Sequence, residues 1–255
     1  MCFKDRILLA ASFLAISCTV LEDRNPCPCR LSLDFSEVDV RALQDLGFDA
    51  LEWEIRSEVF IVKFGRKILN ELPDSVEFEV PRGIDCDCLV RAVSRTMDES
   101  GGECPPVFFE KRKVPVPGEV TVDTVRLHKQ YADMTIFFKS ASLNLSGLRL
   151  VASCCGFDGD LELVHEDYVV GLSPSHGGMV RVRVPRQDDD SMRLEILDHG
   201  AASHTFSIGN YLSAGGYDWE APDLDDIYLE IDCVASKLKL YTDIWQRSVS
   251  FSVNL

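Results

Sequence analysis

Ten cysteines and five histidines are the side chains of this 255-residue sequence best suited to nucleophilic or metal chemistry, and their spacing limits what they could do. Cys27-Pro28-Cys29 and Cys86-Asp87-Cys88 each separate two thiols by a single residue. Zinc knuckles use a two-residue spacer, and both pairs lie beside stretches that read as strands. Buried thiols or strand-edge disulfides are the expected roles, and no connectivity follows from sequence. His128, His165, His176, His199 and His204 form no His-Glu-x-x-His array, and the offset between His199 and His204 matches neither a helix face nor a strand face. A Gly-x-Ser-x-Gly elbow, a phosphate-cradling glycine loop and a nucleophile-cysteine signature are all missing. Acidic residues are plentiful, but no spacing singles out a pair for glycoside hydrolysis. Asp188-Asp189-Asp190 reads as a solvated hairpin tip, because nothing close in sequence completes an oxygen cage for a cation. Tyr217 and Trp219 could stack on a sugar if exposed, although aromatics of a β protein more often fill its core. The expectation is a non-enzymatic chain with no catalytic residue, no cofactor and no metal.

Cys18 is the exception. It follows a short basic start (Lys4, Arg6) and the apolar run Ile7 to Ile16. That run is shorter than the roughly 20 apolar residues a bilayer-spanning helix needs, and it ends at a small residue as a signal-peptide cleavage site should. Leu14-Ala15-Ile16-Ser17-Cys18 resembles the bacterial lipobox, whose cysteine is lipidated and becomes the new N-terminus. An ordinary signal peptide with a chance cysteine and a buried N-terminal helix are the other readings. Lipidation would hold the mature chain to a membrane, each buried methylene contributing about 0.8 kcal/mol, so that several acyl chains hold where one is marginal. Residues 1–17 are then a lipoprotein signal peptide. The polar stretch 18–28, with Glu22, Asp23, Arg24 and Asn25, is a tether.

Composition narrows the partners. The formal charge is −16, and loss of Lys4, Arg6 and Asp5 with the signal takes it to −17, which opposes binding to nucleic acid or to anionic lipid surfaces. A 46% hydrophobic fraction supports a real core. Removing 17 residues leaves 255 − 17 = 238, enough for one large β domain or two ordinary ones. Cys2 leaves with the signal and Cys18 carries lipid, so eight of the ten cysteines remain, an even number in an exported chain.

The elements that would position any site are mostly strands. Leu31, Leu33 and Phe35 alternate with Ser32 and Asp34. Leu51, Trp53 and Ile55 alternate with Glu52, Glu54 and Arg56, and Val180, Val182 and Val184 with Arg181 and Arg183. Similar runs cover Val59 to Phe64, Val76 to Val80, Cys88 to Val93, Met134 to Phe138, Leu148 to Val151, Leu161 to Val164, Met192 to Leu197, Ile227 to Cys233, Lys237 to Tyr241 and Ser248 to Leu255. Turn residues bound them, a spacing that predicts antiparallel sandwiches. Helical period appears over Ser36 to Leu46, stopped by Gly47, and near Ile208 to Leu212, closed by Gly215-Gly216. The proline-rich segment from Cys104 through Gly118 predicts an edge or crossing segment and a connection between domains. The expected fold is all-β, with two β-sandwich domains at 29–125 and 126–255.

An anchored all-β chain without a convergent polar motif is expected to work through surface and sheet edge, where unpaired backbone groups can take a strand from another chain. The lipobox, the Cys27-Pro28-Cys29-Arg30-Leu31-Ser32-Leu33-Asp34-Phe35 strand, Val59 to Phe64, Gly178 to Pro185, Tyr211 through Trp219, Leu224 to Ile227, and the final hairpin from Ile231 to Tyr241 together resemble fimbrial lipoproteins of the FimB kind, the anchor or minor subunits of Bacteroidales pili. The resemblance implies transthyretin-like sandwich domains and a lipid anchor in the cell outer membrane, with Cys18 the one site residue carried over. It further implies assembly with other fimbrial subunits by strand exchange, and no nucleic acid partner. Glu22-Asp23 looks like the signal that sends some lipoproteins of such bacteria to the outer face. A surface glycan-binding or adhesin lipoprotein is the alternative, and a hydrolase using acidic residues comes third.

Overall fold

A computed structural model describes residues 28–57, 60–94, 104–139, 147–173, 178–198, 201–232, 237–242 and 247–252. The expected signal peptide at 1–17, most of the expected tether at 18–28 and Cys18 lie outside the described residues.

The described residues build four main sheets around two separate cores. The first core lies between a three-stranded sheet and a five-stranded one. The three-stranded sheet has β1 (Pro28–Asp34) at its centre, flanked by β4 (Ser75–Pro81) and β7 (Val120–Thr124). The facing sheet runs in the order β3 (Phe60–Ile68), β2 (Ala50–Ser57), β5 (Asp85–Val93), β6 (Phe108–Pro115) and the two-residue β8 (His128–Lys129). Period-two alternation decides the facing: Leu31 and Leu33 of β1, Leu51, Trp53 and Ile55 of β2, and Cys86, Cys88 and Val90 of β5 all turn inward and are buried. Trp53 stands opposite Gly65 of β3, and its indole covers the space a Cβ at Gly65 would need. Asp39 caps α1 (Val40–Asp45) by accepting from the Ala42 N–H at 3.0 Å, and Gly47 ends it at φ +90°. The helix is shorter than its periodic stretch because Asp34 ties Ser36 into a turn first.

The second core lies between the order β13 (Tyr168–Leu172), β10 (Gly147–Ala152), β15 (Arg193–Asp198), β16 (Ala201–Phe206) and the order β14 (Met179–Pro185), β9 (Tyr131–Phe138), β17 (Ile227–Asp232), β18 (Lys237–Thr242), β19 (Arg247–Ser252). Met134, Ile136, Leu150, Val182, Leu194, Ile227, Leu229 and Leu240 fill it, and α2 (Ile208–Ala214) adds Ile208 and Leu212. A small separate ladder joins β11 (Gly156–Phe157) to β12 (Leu163–Val164). The two cores repeat one scheme. The first strand of each, β1 or β9, sits inside its sheet between an antiparallel neighbour and a parallel one, β7 or β17. These sandwiches are therefore mixed, not purely antiparallel.

Two expectations change. The proline-rich segment is a laddered strand, because β6 pairs with β5 from Phe109 opposite Arg91 to Pro115 opposite Asp85. Its prolines stand outside or at the end of that ladder, where a missing N–H costs least. The segment does cross, since Cys104 is buried in the second core and β6 lies in the first, and the chain passes between the cores again through residues 125–130. Leu161 lies in a turn at φ +58°, and only Leu163 and Val164 are strand. The final segment closes its own sheet, Phe251 lying opposite Leu238, within the residues described.

The junction is packed and bonded. Phe108 meets Phe48 at 5.8 Å and Tyr131 at 5.7 Å, both edge to face. The Arg183 guanidinium lies 4.6 Å from the Tyr131 ring centroid. Buried Glu110 accepts from the Arg126 N–H at 2.8 Å and pairs with Arg112 at 2.9 Å, while burial pushes its pKa up. Gln130 accepts from Arg186 Nε at 2.8 Å, and Arg186 also donates to the carbonyls of Trp219, Ala221 and Pro222.

Candidate functional site

The sheet edges differ in how they are protected. β4 turns Glu77 and Glu79 to solvent, β14 turns out Arg181, and β3 carries Lys63, Arg66 and Lys67, charges that discourage a foreign strand. β7 and β13 are different. Val120 is 58% exposed and Val122 63% exposed on β7, where Arg30 of β1 stands opposite Val120, and Val169 is 48% exposed on β13, where Arg149 of β10 stands one pair along the same face. β7 bonds to β1 on one side and is the edge of its sheet among the described residues. Asp123, on its other face, is engaged by Arg112 at 2.6 Å.

Among the described residues, two concave surfaces are lined by paired charges. One, about 410 Å³, lies on the outer face of the β14–β9–β17 sheet, where Arg183 and Asp133 pair at 3.2 Å beside Arg181 and Tyr228. A second, about 310 Å³, lies at the junction among Glu110, Arg112, His128, Arg186 and Glu220. His128 there pairs with Asp223 at 3.0 Å, whose other oxygen takes the Lys129 N–H at 2.7 Å, so the histidine serves the junction.

The sequence candidates fall out as follows. Cys29, Cys86, Cys88, Cys104 and Cys154 are buried free thiols and Cys155 is half-buried, whereas Cys27 and Cys233 lie outside the described residues. Burial pushes Cys88 and Cys104 up to about 12, which keeps both protonated and inert at neutral pH. Trp219 is buried and Tyr217 donates its hydroxyl to the Asp225 carbonyl at 2.7 Å, the two rings meeting at 4.8 Å. They are core residues, not an exposed sugar platform. His199 and His176 lie outside the described residues, and His204 sits exposed on β16.

The aspartate run is more than a solvated tip. Asp189 accepts from Ser153 Oγ at 2.8 Å and from the Ser191 N–H at 2.9 Å, and Asp190 accepts from Ser213 on α2. Asp188 meets Cys154 and His165: Sγ to Oδ1 is 3.4 Å, Sγ to Nδ1 is 3.7 Å, and Nδ1 to Oδ2 is 3.6 Å. Sequence reasoning missed this group because its members come from three segments with no local spacing signature. The one hint was a cysteine and an aspartate run at the ends of two strands.

No protein-family model and no curated protein sequence matches the chain. Solved structures do. A candidate polysaccharide-binding protein of Bacteroides thetaiotaomicron superposes with a TM-score of 0.60 at 14% identity, over 89% of this chain and 98% of that one. A candidate adhesin of the same species gives 0.54 at 9% identity, over 91% and 100%. The fimbrial anchor protein Mfa2 of Porphyromonas gingivalis gives 0.52 at 8% identity, over 89% and 98%. The chain has their fold. That agrees with the architecture the FimB resemblance implied, through almost the full length of each structure.

Proposed function

We propose that the chain is a lipid-anchored structural subunit of a cell-surface pilus, an anchor or minor subunit that joins its neighbours by β-strand pairing, and that it is not an enzyme. The observation that carries this reading is the fold held in common with a fimbrial anchor, in a molecule whose edge strands β7 and β13 present valines to solvent. Cys18 is the lipid attachment point, residues 1–17 its signal, 18–28 the tether, and 29–125 and 126–255 the two sandwich domains. The partners are other fimbrial subunits, and the acyl chains sit in the cell outer membrane with the folded part at the surface.

Cys18→Ser should leave the protein soluble or unprocessed, read by partition into detergent-extracted membranes; unchanged partition overturns the anchor. Deleting the protein should release pili into the medium or change their length, and normal cell-bound pili count against an anchoring role.

A surface adhesin or glycan-binding lipoprotein is the second reading, favoured by the polysaccharide-binding and adhesin descriptions of two proteins with this fold. Soluble polysaccharide raising the melting temperature would support it. Burial of Trp219 moves any such site away from that residue.

A further inference from the structure

We propose that Cys154, His165 and Asp188 form a binding site for a zinc-type divalent transition metal ion, independent of the pilus reading. The three ligand atoms lie within 4.8 Å of one another. Zinc bonds of about 2.3 Å to sulfur and about 2.0 to 2.2 Å to nitrogen and oxygen, at tetrahedral angles, require ligand–ligand separations of about 3.3 to 3.6 Å. The sulfur lies 3.7 Å from Nδ1 and 3.4 Å from Asp188 Oδ1, Nδ1 lies 3.6 Å from Asp188 Oδ2, and a single carboxylate oxygen stays within 4.8 Å of both other ligand atoms. One thiolate, one carboxylate and a neutral imidazole balance a divalent charge, and a mixed sulfur, nitrogen and oxygen set suits zinc over magnesium or calcium.

The geometry speaks against a catalytic relay. A Cys-His-Asp relay needs sulfur and carboxylate on opposite ring nitrogens, so that the acid orients the base. Here both converge on Nδ1 and leave Nε2 outside the cluster. Convergence on one point is what a metal asks for.

The scaffold beneath the site is built without help from an ion. Gln187, 1% exposed, accepts from the Ser153 N–H at 3.1 Å and the Cys154 N–H at 3.0 Å, and donates to the carbonyls of Cys154 at 3.0 Å and Pro185 at 2.9 Å. It thereby locks the segment after β10 to the segment after β14, fixing Cys154 beside Asp188. The Cys155 N–H donates to the Val164 carbonyl at 3.1 Å, which brings His165, the residue after β12, over the same thiol. The sulfur is buried, while the His165 and Asp188 side chains are 64% and 46% exposed. An ion would therefore reach the thiol from solvent, displace its proton to water, and keep an outward position for water or an exogenous ligand.

The test uses the mature chain, stripped with chelator and held reduced by a phosphine. Titration with Co²⁺ should raise a sulfur-to-cobalt charge-transfer absorption that saturates at one equivalent and is bleached by Zn²⁺. Cys154→Ser should abolish that absorption. His165→Ala and Asp188→Asn, at exposed positions that leave the fold intact by circular dichroism, should each weaken Zn²⁺ about tenfold or more against a chromophoric chelator. A wild-type protein with no charge-transfer absorption, an absorption that survives in Cys154→Ser, or a Zn²⁺ affinity unmoved by both exposed-ligand variants overturns the proposal. Pilus assembly is not read in any arm, so failure here leaves the assembly reading untouched.

Discussion

Replacing Gln187 with alanine should destabilise the C-terminal sandwich far more than its place in a loop suggests. The wild-type amide makes three hydrogen bonds to fully buried backbone groups: it accepts from the Cys154 N–H and donates to the carbonyls of Cys154 and Pro185. It makes further bonds to the Ser153 N–H, the Ser153 hydroxyl and the Arg186 carbonyl. A buried polar group stripped of its partner costs about 1–3 kcal/mol, and water entering the space vacated by the side chain recovers part of that. For the three buried groups together we expect a loss of about 3–5 kcal/mol, a large share of the roughly 5–15 kcal/mol that holds an ordinary domain. Gln187→Glu should cost at least as much at neutral pH, because it keeps acceptors for the two N–H groups but sets a buried carboxylate against the carbonyl oxygens. Urea denaturation followed by tryptophan fluorescence in a Trp53→Phe background would report mainly on the C-terminal half. A shift of the midpoint at unchanged slope gives the energy. A loss below about 1 kcal/mol for Gln187→Ala would refute the claim that this amide joins the two loops.

Three further outcomes follow from particular contacts. Gly65→Val puts a side chain into the space of the Trp53 indole and should cost about 1–3 kcal/mol by urea titration, whereas Gly159→Ala, with nothing within 4 Å, should stay within about 0.5 kcal/mol. Arg193 and Arg149, bonded to Glu195 at 2.9 and 2.7 Å, hold its pKa below the ordinary 4.5. Its contribution is therefore present above the ordinary value and is lost as the pH falls through the depressed folded-state value, so Glu195→Gln should flatten the acid side of the stability profile below the ordinary 4.5, measured by thermal melts. Val122→Lys places a charge on the outward face of edge strand β7 at a side chain already 63% exposed, and should block incorporation into pili while moving monomer stability by no more than about 0.5 kcal/mol; normal incorporation would remove β7 from the assembly surface.

Much of the fold was legible along the chain because strand burial is a local signal. Leu51, Trp53 and Ile55, or Val180, Val182 and Val184, declare their inward face by alternation alone, and the structure buries all six. Gly47 and the Gly215-Gly216 pair marked helix ends for an equally local reason. The Cys18 signal is likewise a matter of neighbouring residues, and it rests on sequence alone.

What the sequence could not decide was every relation between segments far apart in it. The parallel ladders of β1 with β7 and β9 with β17 leave no mark on any single strand, since a strand's alternation is the same whichever neighbour it takes. Trp219 is core because the loop carrying it folds beneath Arg186, which captures its carbonyl. Cys154, His165 and Asp188 share no motif, and they meet because the amide of Gln187 clamps two strand ends together and the β11–β12 ladder brings a third segment across them. Side-chain type and local period determined what each strand buries; which loops then stand side by side, and so where chemistry can occur, was set by the packing of the sheets.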